Sequence, residues 1–180
     1  MSLTILLPEW LEAINQKEQA FSSLDEAMQF VIALSRRNIS DGGGPFAAAI
    51  LNESLQLIAA GVNRVVSAHS SILHAEMLAL FLAQQRLGTH DLAVAGSHIL
   101  VTSCAPCAMC LGAIPWSGVA RVVCGARGED AEDTGFDEGD KPVNWQNALS
   151  ARGIGVDNDV CREEAALVLQ EYRGLGGRIY

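Results

Sequence analysis

The sequence predicts one α/β domain in which helices pack against a mixed β-sheet, and three observations support this fold class. Of the 180 residues, 49% are hydrophobic and 18% charged, a globular composition in a chain long enough to bury a core. A helical segment is followed by a β-hairpin, and strands then alternate with helices, as in layered α/β proteins. Because neither an internal repeat nor a linker interrupts the chain, we expect a single domain over residues 1–180.

The amino-terminal half contains the first helix and the hairpin. Apolar residues recur with helical spacing over 23–38, where Ser23 and Glu26 form a capping-box pattern, and DGGGP ends the helix. The apolar runs PFAAAILN and LQLIAAGVN then predict a β-hairpin. We expect residues 1–20 to form a loosely attached helical extension.

The carboxy-terminal half alternates strand and helix patterns around an acidic stretch. The predicted helices cover 73–87, 106–114, 145–151 and 162–173, and Gly88 ends the first of them. The predicted strands cover 97–103 and 119–126, with a short strand or turn at GIGVDND. The acidic stretch at 129–140 has no strong period and is expected to be a loop.

The charge of the chain argues against a nucleic-acid partner. The formal net charge is −9, the only lysines are Lys17 and Lys141, and no run rich in arginine or lysine offers a basic patch. A small, neutral or cationic substrate suits this surface better. We expect neither a signal peptide nor a membrane span, because the basic n-region and a sufficiently long apolar run are both missing. Five cysteines, three of them clustered, do not resemble a disulfide framework, so we expect a reduced, cytoplasmic protein.

The segment SCAPCAMCLGAIPW places Cys104, Cys107 and Cys110 at intervals of three residues. A bacterial ferredoxin-type cluster would need a cysteine at the position of Ile114. A structural zinc site would use all three cysteines and one more Cys or His. Cys107 and Cys110 share a face at the positive start of the predicted helix, so they can bind one ion together as thiolates. Cys104 precedes this turn and is expected to be a small buried residue.

A third ligand is available upstream, where the sequence HAE opens the next predicted helix. Residues two apart on a helix point in different directions, so His74 and Glu76 converge on one site only if the helix start faces it end-on. Together with PCAMC they complete the H-x-E…P-C-x-x-C signature of zinc deaminases. One imidazole and two thiolates leave zinc a position for a water of lowered pKa, and Glu76, which is not a ligand, would move the protons.

Family-like motifs follow one another from about Phe21 to Tyr180, namely GGPFAAAI, GVNRV, HAE, TSCAPCAMCLGAIPW, GFDE and the terminal tyrosine. In these segments the chain resembles the cytidine deaminase superfamily and, within it, is similar to the small zinc-dependent guanine deaminases of bacteria. The resemblance implies a cytidine deaminase-like three-layer α/β/α sandwich with a mixed five-stranded sheet, a homodimer, and hydrolysis of guanine to xanthine and ammonia. It also implies that Glu76 is the proton shuttle and that each chain binds one Zn²⁺ through three ligands, His74, Cys107 and Cys110.

The same resemblance implies which residues contact the base. Glu138 in GFDE would accept the adjacent N–H and NH₂ donors of guanine, unless it is a solvated charge and Asp137 or Asp140 takes this role. The implied substrate-binding residues are Phe46, Asn63, Ala75, Trp116, Asp137 and Tyr180. Without the resemblance, Asn63 would be read as a turn residue, and Phe46 and Trp116 as core residues packed on the sheet.

Further implications concern the tail and the choice of substrate. The tail at 174–180 is expected to cross to the partner subunit, where Tyr180 closes the site. Ala105 departs from the family, which commonly has glutamate before P-C, and this bears on hydrogen bonding around the zinc turn. Two alternatives stay open: a deaminase of tRNA adenosine or of another nucleobase or nucleoside, and a non-catalytic zinc-bound module. The charge of −9 argues against tRNA, and an intact Glu76 argues against a mere scaffold.

Overall fold

A five-stranded mixed sheet forms the middle layer of the computed structural model, which describes residue 5 and residues 7–180. The strands are β1 (Ala47–Asn52), β2 (Leu57–Val62), β3 (His98–Cys104), β4 (Arg121–Ala126) and β5 (Gly155–Asp157). Their spatial order is β2-β1-β3-β4-β5, with β1 antiparallel to both of its neighbours and β3, β4 and β5 mutually parallel. The predicted hairpin and the later strands are confirmed.

Helices cover both faces of this sheet. They are α1 (Glu9–Asn15), α2 (Leu24–Ser40), α3 (Ala75–Leu87), α4 (Ala108–Ser117), α5 (Gly128–Glu132), α6 (Trp145–Ser150) and α7 (Arg162–Gly174), with a short 3₁₀ helix at Leu92–Ala95. One buried core lies between the sheet and α1, α2 and α7, and a second lies under α3, α4 and α6. The predicted three-layer α/β/α sandwich is therefore confirmed. No helix in the described part of the chain is long and apolar enough to cross a bilayer.

Local signals account for the ends of several helices. The Ser23 hydroxyl accepts the N–H of Glu26 at 3.1 Å, as predicted, although the Glu26 carboxylate bonds the residue before the cap. Gly88 ends α3 with a φ of 66°. The expectation of a loop throughout 129–140 is wrong at its start, which lies in α5. There the Asp130 carboxylate accepts the backbone N–H of Arg127 at 2.8 Å and so stabilises a single helical turn.

The described part of the amino-terminal extension is firmly anchored from α1 onward, which corrects the expectation of a loosely attached helix, while residues 1–4 and 6 of that expected extension lie outside the described residues. Leu11 in α1 is fully buried in the core under α2. The Asn15 side chain pairs with the edge strand β2, since it donates to the Ala60 carbonyl at 3.0 Å and accepts the Ala60 N–H at 2.7 Å. The extension therefore covers part of a strand edge that would otherwise be open to pairing.

The topology brings the starts of α3 and α4 to one edge of the sheet. Strands β2 and β3 both pair antiparallel with β1, so they run in the same direction and their carboxyl ends lie at the same edge. The segment after β2 leads into α3, and the segment after β3 leads into α4. Ligand sites in α/β proteins commonly lie at such carboxyl ends.

Candidate active site

Two helix starts supply the three predicted metal ligands. His74 is the N-cap residue of α3, Cys107 is the N-cap residue of α4, and Cys110 lies in the first turn of α4. The His74 Nδ1 lies 3.5 Å from the Cys107 Sγ and 3.6 Å from the Cys110 Sγ. Tetrahedral zinc with its usual Zn–N and Zn–S bond lengths would separate nitrogen and sulfur by about 3.6 Å. The imidazole and the two thiols therefore fit one zinc ion.

Hydrogen bonds among these ligands shift the pKa of each of them. The Cys107 thiolate accepts a hydrogen bond from the Cys110 thiol, which lowers the pKa of Cys107 to about 4 and raises the pKa of Cys110. Burial lowers the pKa of His74, but its hydrogen bond to Cys107 and the nearby carboxylates of Glu76 and Glu138 raise it overall. Zinc binding requires neutral imidazole and thiolates, so it would displace these protons.

Glu76 lies in the first turn of α3, where its side chain is almost completely buried. Burial, followed by the negative charge of Cys107, raises the pKa of the Glu76 carboxyl to about 7. Cys107 and Cys110 both act on this pKa, so the Glu76 carboxyl lies near the ligand cluster and the start of α3 faces that cluster end-on, as convergence of His74 and Glu76 requires. A buried carboxyl near neutrality can both accept and donate a proton.

Of the three carboxylates proposed to read the base, Glu138 alone is buried. Its Oε2 accepts a hydrogen bond from the Lys141 Nζ at 2.8 Å. Its backbone carbonyl accepts the N–H of Ala108, the first residue of α4, at 2.9 Å. Asp137 is exposed and accepts a backbone N–H within its own turn, and Asp140 is exposed as well. The structure therefore favours Glu138 over the two aspartates as the carboxylate of the site.

Asn63 directly follows β2 and is 1% exposed. Its Oδ1 accepts the N–H of Val65 at 3.2 Å, so the residue forms a local turn while its side-chain NH₂ has no hydrogen-bond partner among residues 7–180. Asn38, a buried residue of α2 that the sequence analysis missed, donates to the carbonyls of Asn63 and Gly44 at 2.8 Å each. The signal for Asn38 was an amide on the mostly apolar face of a helix.

An aromatic cluster lies beside Asn63. The half-buried Phe46 meets Phe136 edge-to-face, with 4.8 Å between ring centroids, and Phe136 meets Tyr180 in the same way at 5.4 Å. A Cβ placed on Gly44 would collide with the Tyr180 hydroxyl and would lie 2.9 Å from the Asn63 Oδ1. The ring tip of Tyr180 therefore lies against Gly44, in the neighbourhood of Asn63. Phe136 was missed by the sequence analysis, although its place in GFDE was a usable signal.

The carboxy-terminal tail lies against its own chain in this single-chain structure. Helix α7 ends at Gly174, one residue beyond the predicted end, and Gly176 turns the chain with a φ of 70°. The Tyr172 hydroxyl donates to the Arg178 carbonyl at 2.8 Å and holds the turn. The Tyr180 hydroxyl is buried without a hydrogen-bond partner among the described residues. Exchange of the tail between subunits stays a prediction.

Three further predicted positions have different outcomes. Ala75, the first residue of α3, is fully buried. Trp116 is 82% exposed, because it lies on the opposite side of α4 from the buried Ile114, two residues before it. Packing of Trp116 against the sheet is therefore wrong, and the single chain gives it no enclosed pocket. Cys104 is buried and its thiol donates to the Arg127 carbonyl at 3.4 Å, which confirms it as a buried residue outside the cluster.

Comparison with known proteins places this site in context. The family described as the cytidine and deoxycytidylate deaminase zinc-binding region matches residues 22–126. The structure of NE0047 in complex with 2,6-diaminopurine is 48% identical, with a TM-score of 0.96 over 99% of this chain and 96% of that one. The guanine deaminase from Nitrosomonas europaea is 47% identical, with a TM-score of 0.94 over 96% of this chain and 97% of that one. The guanine deaminase of Bacillus subtilis is 39% identical over 108 residues, which are 59% of this chain and 67% of the relative.

Fold and site together define the class of the protein, which is a zinc-dependent hydrolytic deaminase. More particularly, the chain belongs to the cytidine and deoxycytidylate deaminase family, whose zinc-binding region covers β1 to β4 and both ligand helices. Glu138 and the tail lie beyond the matched region, in the part of the chain that the full-length structural relatives also cover.

Proposed function

We propose that this chain hydrolyses guanine to xanthine and ammonia, with one zinc ion bound by His74, Cys107 and Cys110. The observation that carries the proposal is a zinc-ligand cluster accompanied by two buried carboxylates, Glu76 beside it and Glu138 tied to the start of α4. Similarity to a protein solved with 2,6-diaminopurine and to guanine deaminases supports a 2-aminopurine as substrate.

The proposed mechanism divides the work between the metal and the chain. Zinc held by His74, Cys107 and Cys110 would supply a water that is activated near neutral pH. Glu76 accepts a proton from that water, passes it to a ring nitrogen of the base and assists protonation of the leaving ammonia. A bond from carbon to the water oxygen forms at C2, and the bond from C2 to the exocyclic nitrogen breaks. Burial of Glu76 supports this role, because it raises the pKa of the carboxyl to about 7. A carboxyl with such a pKa can both accept and release a proton near neutral pH.

Recognition of the base is assigned to residues around this centre. Glu138 accepts the N–H and NH₂ donors of guanine, a charge-assisted pairing that a buried carboxylate makes strong. The free NH₂ of Asn63 donates to an acceptor of the purine, and Phe46 packs against the ring. The N–H of Ala75, at the start of α3, has no hydrogen-bond partner among the described residues. Asp137, which is exposed, is assigned to the rim of the site.

The tail is assigned to a homodimer. In this arrangement residues 174–180 cross to the partner, and Tyr180 closes the partner's site. Flexible backbone at Gly174, Gly176 and Gly177 supports such an exchange. The exposed Trp116 offers an apolar contact for a second copy. A reducing compartment such as the cytoplasm suits the protein, since each of its five cysteines is a free thiol.

Ammonia release from a panel of substrates tests the proposal. Guanine should be turned over, and adenine, cytosine, cytidine and tRNA should not, while aminotriazines report how far related amino heterocycles are accepted. Turnover of tRNA with none of guanine would contradict the proposal and favour the adenosine deaminase alternative, which the net charge of −9 opposes. Zinc binding with no turnover of any substrate would favour a non-catalytic module.

A further inference from the structure

A buried ion pair lies in the loop between α5 and α6. The Nζ of Lys141 is 2.8 Å from the Oε2 of Glu138, and the two side chains are 14% and 6% exposed. Lysine is rare in this chain, whose other lysine, Lys17, is exposed. A long cationic side chain loses conformational freedom and hydration when it is buried, so its place here calls for a physical reason.

The loop fixes both ends of this pair relative to the metal ligands. The Ala108 N–H donates to the Glu138 carbonyl at 2.9 Å, next to Cys107 in the chain. The Lys141 N–H donates to the Gly139 carbonyl, also at 2.9 Å, and Gly139 has a φ of 69° that closes the turn. The ammonium is therefore held on a backbone that is itself hydrogen-bonded to the ligand helix.

Gly128 in α5 leaves the space that the ammonium fills. A Cβ at Gly128 would lie 2.7 Å from the Lys141 Nζ and 3.6 Å from the Glu138 Oε2. Any side chain at this position would thus press on the ammonium before it touched the carboxylate. The arrangement directs Lys141 to one oxygen of Glu138, and the Oε1 receives no hydrogen bond from the described residues.

We propose that Lys141 is a positioning residue of the active site: its ammonium keeps Glu138 ionised and holds one carboxylate oxygen in place, so that the other faces the N–H donors of the substrate. This inference rests on the proposed function and names a residue that acts through Glu138 without touching the base. A buried carboxylate without such a partner would be largely neutral and would offer one acceptor oxygen fewer.

The charged surroundings of Glu138 make the role measurable through pH. Burial raises the pKa of Glu138 and Lys141 lowers it, while Cys107 in α4 and Glu132 in α5 add negative charge that raises it. His74, at the start of α3, also interacts with Glu138. Loss of the ammonium would remove the hydrogen bond and the positive charge of Lys141, which lower this pKa. The pKa of Glu138 would then rise, and the ionised form would return only at higher pH.

The test compares Lys141→Met, Lys141→Arg and, as a matched control, the exposed Lys17→Met. Lys141→Met should lower kcat/KM for guanine about tenfold or more near pH 6, and the deficit should shrink towards about pH 9. Lys141→Arg should restore most of the activity at the lower pH, and Lys17→Met should match the wild type. Zinc content and thermal unfolding would be measured for each variant. A loss in Lys141→Met that is equal at every pH, or no loss, would overturn the proposal.

A double-mutant cycle keeps the inference testable if Lys141→Met alone does not fold. In a Glu138→Gln background the charge of Lys141 has no carboxylate to hold, so adding Lys141→Met should change kcat/KM by no more than about threefold. Gly128→Ala, which keeps the charge but displaces the ammonium, should also lower kcat/KM. A large further loss in the double variant would overturn an action through Glu138. Absence of guanine turnover in the wild type would instead overturn the proposed function.

Discussion

A Cβ at Gly61 would lie 2.5 Å from the carbonyl oxygen of Ala75, so strand β2 touches the first turn of α3 directly. The same atom would also lie 2.5 Å from the backbone nitrogen of Ala79. His74 and Glu76 flank Ala75, so their position depends on this close contact between strand and helix. The glycine thus connects backbone packing to the geometry of the metal site.

Gly61→Ala should therefore damage both stability and the site. The added methyl group forces α3 away from the sheet, and overpacking of this kind costs about 1–3 kcal/mol of unfolding free energy. Guanine turnover should fall with it, because His74 and Glu76 move together with the helix. Gly112→Ala is the matched control, since a Cβ there meets no atom within 4 Å, and it should be neutral or stabilising. Denaturant unfolding and zinc content decide the outcome, and equal behaviour of the two variants would contradict the prediction.

Cys107→Ser should lose zinc, whereas Cys104→Ser should retain about one zinc per chain, because Cys104 bonds the Arg127 carbonyl away from the ligand cluster. Elemental analysis of the purified proteins measures this difference. Equal loss of zinc in both variants would mean that the ligand set is different.

Glu76→Gln should retain zinc and the fold but lose at least ~10²-fold in guanine turnover, the low end for general acid–base catalysis. The amide keeps the size of the carboxyl but cannot carry the proton. Steady-state kinetics at saturating guanine, with metal content as the control, test this expectation. Near-normal kcat would show that another residue moves the protons.

Glu138→Gln should reduce kcat/KM for guanine about tenfold to a hundredfold, because an N–H donor then faces a donor of the base. The comparison variant is Asp137→Asn, which changes the neighbouring exposed carboxylate and should have the smaller effect. Thermal unfolding of both variants separates a change in recognition from a loss of stability. A larger kinetic effect at Asp137 than at Glu138 would reverse the assignment.

Deletion of residues 175–180 should leave α7 and the zinc content intact but sharply reduce guanine turnover, because Tyr180 no longer covers the site. Mixing this truncated chain with Glu76→Gln chains tests the proposed exchange. In a mixed dimer the truncated subunit keeps its own Glu76 and can receive the partner's tail, so activity should partly return. Subunit exchange without recovery would show that the tail acts only on its own chain.

The sequence by itself determined the ligand types and their order along the chain. His74, Glu76, Cys107 and Cys110 could be selected because the spacing of H-x-E and P-C-x-x-C is local, and local spacing sets which residues share a helix start. The spacing of apolar residues likewise predicted the sheet and its covering helices. This spacing differs between helices and strands and can be read from residues that are close together in the sequence. The strength of the contact between α1 and the sheet was underestimated, because the Asn15 bonds to Ala60 join residues far apart in the sequence.

Only the tertiary structure distinguished residues that are similar in the sequence. The sequence offers three similar carboxylates in one acidic loop, Asp137, Glu138 and Asp140. Burial and the hydrogen bond from Lys141 distinguish Glu138 from the other two. Trp116 was expected to line the substrate pocket or else to pack against the sheet, but the rotation of α4 places it at the surface. The physical reason is the same in each case. Composition and periodicity describe a side chain and its neighbours in the sequence. Burial and hydrogen-bond partners depend on distant segments, which meet only when β2, β3 and the loop before α6 are brought to one edge of the sheet.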